Sequence, residues 1–172
     1  MIIFLDFDGV LHPDSVFMAP SGPSLREEGT LFMWMPLLES VLAQYADARI
    51  VLSTSWVRNL GFSRAKKRLS KNLQDRVVGS TWHSSMAKEW TDQILWDQST
   101  RYHQIIRYVV RGNISKWLAI DDDAEGWGAQ YQELLIRTDP ATGLSGAGVI
   151  AELTAKLNIA TEAKLTLPPL GD

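Results

Sequence analysis

The 172-residue chain contains no cysteine. Disulfides, thiolate nucleophiles and zinc–thiolate centres are therefore excluded. Histidine is scarce, with three in the chain. His83 and His103 have no partner at metal-ligand spacing and read as structural or solvent-facing. His12, in a loop, reads as an exposed residue that marks the loop or touches substrate. No apolar run is long enough to span a bilayer. The N-terminus has no basic region ahead of its apolar stretch, and Asp6 interrupts that stretch early, which argues against a signal peptide. A cytoplasmic location without a membrane partner is the expectation. No charge of one sign dominates: a net charge of -3 gives no global pull toward nucleic acid or anionic lipid. There is no internal repeat and no low-complexity segment. What remains, with 45% hydrophobic and 22% charged residues, is the composition of one soluble globular domain.

Strands and helices alternate along the chain. Ile2–Leu5, Arg49–Leu52, Arg76–Gly79, Lys116–Ile120 and Leu134–Thr138 read as strands. Pro36 suits the first turn of a helix that carries Leu38, Val41 and Leu42 at helical spacing. Ser63 can cap a second helix, with Ala65, Leu69 and Leu73 on one stripe. Ser99 can cap a third, with Ile105, Ile106, Val109 and Val110 inward. Residues 145–157 form a last helix. This order implies βαβ units and a mainly parallel sheet covered on both faces, a doubly wound three-layer α/β/α Rossmann-like fold. The domain spans residues 1–160 and leaves a tail at 161–172. Residues 13–33, rich in proline and glycine, read as an irregular flap or small cap insertion.

The chemistry collects at strand ends. The first strand runs straight into Asp6-Phe7-Asp8-Gly9, and two acids there need a compensating cation or proton if buried. The second ends at Ser53 and Thr54, the fourth at Asp121, Asp122 and Asp123. In a doubly wound sheet, ligands bind outside the carboxyl ends of the strands. If these three strands are neighbours, up to five carboxylates share one cleft and call for a hard cation with oxygen ligands, Mg2+ above all. One carboxylate can then attack phosphorus. A second can move the proton. A fixed cation must oppose the charge of the transition state, and Arg101 is the candidate.

Asp6-Phe-Asp8-Gly9-Val10 resembles motif I of the haloacid dehalogenase-like (HAD) superfamily. Ile50-Val-Leu-Ser53-Thr54 resembles motif II, and Trp117-Leu-Ala-Ile-Asp121-Asp122 resembles the paired-acid form of motif IV. Arg101 stands at a suitable distance for motif III, where lysine is more usual, and Lys88 competes for the role. The Ser-Thr-Ser-Trp and Ile-Asp-Asp-Asp forms look most like a bacterial subgroup related to the phosphatase modules of RNA-repair proteins. The resemblance implies Asp6 as nucleophile and metal ligand, Asp8 as general acid/base with its carbonyl on the metal, and Ser53 and Arg101 as phosphoryl-binding groups. It implies Asp121 and Asp122 as further Mg2+ ligands, while the triple aspartate leaves open which pair acts. Phe7, Ser53, Thr54, Trp56 and Arg101 are the expected substrate-contacting positions, Trp56 because it closely follows Ser53 at the rim of the cleft.

The spacings leave no room for a large cap, so the implied activity is a minimal-cap phosphatase acting on a phosphomonoester. Two alternatives stand beside it. The basic stretch Arg64, Lys66, Lys67, Arg68 and Lys71, with Trp56, suggests a nucleic-acid end phosphatase; the same stretch also reads as a solvated helix face. A non-catalytic phosphate-binding regulatory module is the other. Most of the seven tryptophans read as core.

Overall fold

The computed structural model describes residues 1–20, 22–83, 85–86 and 90–162. The chain opens with β1 (Ile2–Leu5), then a hairpin of β2 (Val16–Ala19) and β3 (Gly22–Leu25), and α1 (Met35–Leu42). Next come β4 (Arg49–Leu52), three short helices α2 (Ser55–Leu60), α3 (Phe62–Lys66) and α4 (Lys71–Arg76), and β5 (Val77–Ser80). Then follow α5 (Trp90–Asp97), α6 (Arg101–Arg111), β6 (Trp117–Asp121), β7 (Leu135–Arg137) and α7 (Val149–Glu162). Five strands form one parallel sheet in the order β5-β4-β1-β6-β7, with β1 at its centre. The expected doubly wound α/β architecture is the one observed.

The apolar run at the N-terminus is continuous because both of its faces are covered. Ile3 and Leu5 pack on one face with Ile50, Leu52, Ile120, Leu38, Leu42 and Leu153. Phe4 points the other way, onto Val51, Ala119, Trp117, Ile105 and Val109. Burying such side chains contributes roughly 1.5–3 kcal/mol each, and this holds the central strand in place between two hydrophobic layers. The chain travels from β1 outward through β4 to β5, then crosses back to β6 on the other side of β1. The strand order therefore reverses at β1, and the crevice above its carboxyl end is where such sheets bind ligands.

Local details differ from the sequence expectation. The 13–33 segment contains an antiparallel hairpin, β2 on β3, rather than only irregular chain. The helix expected from Ser63 onward is two helices. Ser70 accepts the Leu73 N–H at 3.3 Å and caps α4, a local bond that competes with continuing the helix. Ala65, Leu69 and Leu73 are still all buried, so the stripe is real although the helix is interrupted. Thr100, not Ser99, caps α6, accepting the His103 N–H at 3.4 Å. Val110 is 53% exposed, off the buried face. The last helix begins at Val149, after a 3-10 turn at Gly143–Ser145 and the left-handed Gly148 (φ 82°). Lys88 and most of the 161–172 tail lie outside the described residues. Among the described residues no helix is long and apolar enough to cross a membrane.

Candidate active site

Three adjacent strands deliver the site. β1 exits at Asp6, β4 at Ser53 and β6 at Asp121, and all three side chains are buried. Asp6, Asp121 and Asp122 each offer a carboxylate oxygen, and these oxygens lie within 4.8 Å of one another. Asp123 is not in this set. Its carboxylate accepts the Glu125 N–H at 2.7 Å and closes the turn instead, while its own N–H donates to Asp121 Oδ1 at 3.1 Å.

Arg101 is the first residue of α6, and its guanidinium enters the cluster. Nη2 donates to Asp6 Oδ2 at 3.0 Å. Nε lies 3.3 Å from Asp121 Oδ2, an ion-pair distance without hydrogen-bond alignment. Nη1 donates to Gln104 Oε1 at 3.3 Å. The Gln104 amide in turn donates to the carbonyls of Trp96 and Ser99, which ties the arginine to the end of α5. Gln104 carried no signal in the sequence beyond its place one helical turn after Arg101.

The acids are strained electrostatically. Burial pushes Asp6 up from the ordinary carboxylate range; Arg101 pulls it back, Asp8 pushes it further up, and the Phe7 N–H and Thr54 hydroxyl favour its charged form. Burial and then the charge of Asp6 push Asp121 well up, against the pull of Arg101. Asp122 is raised to about 6 by burial and by the charge of Asp6, with Asp14 adding a sixth acid nearby. One guanidinium does not neutralise this many carboxylates. Carboxylate oxygen donors with no soft ligand among them, and an Asp121 Oδ2 without a hydrogen-bond donor, fit a hard divalent cation.

The loop after β1 is pinned from several sides. Gly9 has φ 64°, and a Cβ there would lie 2.5 Å from the Asp122 carboxyl carbon. Only glycine lets the two loops approach this closely. The Gly9 carbonyl accepts the buried Thr138 hydroxyl at 2.7 Å, and the Val10 carbonyl accepts the Leu144 N–H at 3.0 Å. Thr138 lies just past β7, at the end of the strand expected over Leu134–Thr138.

Asp8 points away from the three-acid set. Its Oδ1 accepts the Trp56 indole N–H at 2.9 Å and faces His12 Nε2 at 3.0 Å; its Oδ2 accepts the same indole N–H at 3.0 Å. His12 is fully buried, contrary to the exposed loop residue expected, because its ring packs against Phe32 and Trp56. Phe7 is also fully buried, in the same cluster, and its N–H donates to Asp6 Oδ1 at 2.7 Å. Its side chain is therefore part of the core. Thr54 caps α2, accepting the Trp56 N–H at 3.4 Å. Ser53 Oγ is buried beside the site with no hydrogen-bond partner among the described residues.

A groove of about 100 Å³ opens at Asp8 between the β2–β3 hairpin and α2, lined by Phe17, Pro23, Ser55, Trp56 and Asn59. The Arg68 guanidinium stands over the Trp56 ring at 5.8 Å. Arg64, Lys67 and Arg68 are exposed. Trp34, Trp56, Trp82, Trp96, Trp117 and Trp127 are buried, as most tryptophans were expected to be; the Trp90 side chain lies outside the described residues.

Residues 2–149 match the family described as the HAD domain in Swiss Army Knife RNA repair proteins. The chain belongs to this family of HAD-type hydrolases, and its sheet is the HAD-like Rossmann-type sheet. No curated protein and no solved structure gives a significant match.

Proposed function

We propose that the chain is a Mg2+-dependent phosphatase that hydrolyses a phosphomonoester through an aspartyl-phosphate on Asp6. The observation that carries this reading is the cluster of buried Asp6 and Asp121 with half-buried Asp122, and the Arg101 guanidinium inserted into it. Asp6, Asp121, Asp122 and the Asp8 carbonyl would hold the metal. When bound, Mg2+ supplies positive charge beside the transferring phosphoryl group.

The protein groups divide the remaining work. A carboxylate oxygen of Asp6 attacks phosphorus, an O–P bond forms, and the ester P–O bond breaks. Asp8 gives its proton to the departing alkoxide. Arg101 offsets the charge on the phosphoryl oxygens, and the unpartnered Ser53 hydroxyl binds one of them. Water then attacks phosphorus, Asp8 takes the water proton, and the bond to Asp6 breaks to release phosphate. The test is Asp6→Asn in a Mg2+-dependent assay on an aryl phosphate. Full retained activity sinks the mechanism.

A second reading concerns the substrate. A groove of about 100 Å³ is smaller than the roughly 300–1,000 Å³ of small-molecule sites. It admits only the part of a substrate next to its phosphate, and the rest would lie on the surface near Trp56 and Arg68. That favours a nucleic-acid end, whose backbone would run along Arg64, Lys67 and Arg68. Rates on a 3′- or 5′-phosphorylated oligonucleotide against sugar phosphates and phosphopeptides decide it. No preference for the oligonucleotide removes the reading. Bound phosphate without turnover on any ester points to a regulatory binding module instead.

A further inference from the structure

We infer that His12 is a positioning residue for Asp8. With Trp56 it forms a donor-only cradle that presents Asp8 Oδ2 to the leaving group. The inference rests on the phosphatase reading above and extends it to a residue outside the motifs.

The hydrogen bonds assign the imidazole. The backbone N–H of Phe32 donates to His12 Nδ1 at 3.3 Å. Nδ1 therefore carries the lone pair, and Nε2, 3.0 Å from Asp8 Oδ1, carries the proton. The arrangement is over-determined. Phe32 sits at φ 64°, a left-handed conformation that costs a non-glycine residue about 1–2 kcal/mol. Its ring packs edge-on against His12, Phe7 and Trp56, with centroids 4.9, 5.1 and 5.4 Å away. Packing of these four rings holds the strained backbone so that its N–H faces Nδ1.

This has a chemical consequence. Oδ1 of Asp8 faces two N–H groups, from His12 and Trp56, while Oδ2 accepts only the shared indole N–H, at 3.0 Å. Neither neighbour can accept a proton from Asp8. The indole nitrogen has no lone pair to offer, and the only imidazole lone pair is already used by Phe32. A proton on Oδ2 therefore has no acceptor in the cradle itself, and Asp8 lines the groove. The flap residue Phe32 thus fixes the orientation of the acid through one buried ring.

The test compares wild type, His12→Gln and His12→Phe on an alkyl phosphate, whose leaving group needs a proton, and on p-nitrophenyl phosphate, whose leaving group does not. His12→Phe should lower kcat on the alkyl ester by on the order of 10- to 100-fold, with KM little changed and a much smaller loss on the aryl ester. His12→Gln keeps an N–H donor and should recover most of the rate. Nitrogen-15 NMR of the wild-type imidazole should show protonated Nε2 and unprotonated Nδ1, a readout that needs no variant to fold. Equal losses on both esters, no recovery in His12→Gln, or a protonated Nδ1 in the wild type would each overturn the role of His12. A wild type inactive on both esters overturns the phosphatase reading, and this role with it.

Discussion

The Arg101 guanidinium donates to the Asp6 carboxylate at 3.0 Å, joining the start of α6 to the exit of β1 across 95 positions of sequence. Its Nε reaches Asp121 on the other side. The same side chain therefore balances two buried acids from neighbouring strands.

Removing that balance should be costly. Arg101→Ala leaves Asp6 and Asp121 buried without their cation, and breaking a buried pair of this kind costs about 3–5 kcal/mol. We expect a clear drop in Tm at neutral pH and a loss of kcat on the order of 10²- to 10³-fold. Arg101→Lys keeps the charge but not the fork that spans both acids and Gln104, so it should recover stability more than activity. Thermal melts and steady-state kinetics on the two variants check this.

Asp6→Asn separates chemistry from stability. It removes one of the crowded negative charges at nearly constant volume. Turnover should fall by at least about 10³-fold, and the phosphorylated protein seen in a rapid-quench experiment with wild type should be absent. The Tm without added metal should hold or rise, because the charge that burial penalises is gone. A large fall in Tm would mean that the Asp6–Arg101 pair outweighs the repulsion among the acids.

Stability should vary with pH in a direction set by the acid cluster. Asp122 is raised from 3.8 to about 6, by burial first and then by the charge of Asp6. Between those values the folded chain binds more protons than the unfolded chain, so stability is lost as pH rises through about 6. Asp6 and Asp121 are raised too and act in the same sense. With chelator present, the Tm should be higher near pH 5 than near pH 7.5. Added Mg2+ should raise it more at the higher pH, where the carboxylates are free to bind. A Tm that climbs from pH 5 to 7.5 in chelator contradicts the assignment.

Gly9→Ala should act at a distance of one loop. The new methyl carbon meets the Asp122 carboxyl at 2.5 Å, and the φ of 64° is unfavourable for alanine. A destabilisation of about 1–2 kcal/mol from the backbone alone is expected, with weaker Mg2+ binding as Asp122 is displaced. Calorimetric titration with Mg2+, beside a melt, distinguishes the two effects.

Much of this was written in local sequence. The apolar runs of β1, β4 and β6 announce buried parallel strands because both faces are covered, and the polar residues that end them mark the ligand side of the sheet. Asp6, Asp8, Ser53 and Asp121 are legible for that reason. The 3.6-residue stripe of α6 likewise placed Arg101 at a helix start. Other features carry no periodic signal. Ser70 ends one helix and begins another through a single hydroxyl bond, and Thr100 rather than its neighbour caps α6, a choice of one residue that patterning does not resolve.

What the tertiary structure decided is which groups meet. Sequence places an acid after a strand, but the order β4-β1-β6 brings Asp6 and Asp121 within reach of one arginine. It also sorts the three aspartates, turning Asp122 toward Asp6 and Asp123 into a turn. His12, Thr138 and Gln104 matter through contacts with residues far along the chain or one turn away, and each is an unremarkable polar residue in isolation. The physical reason is the same throughout. Strand and helix formation depend on periodic burial, which one dimension records. Hydrogen-bond pairing and charge balance in a buried site depend on distances between segments, which only the packed chain defines.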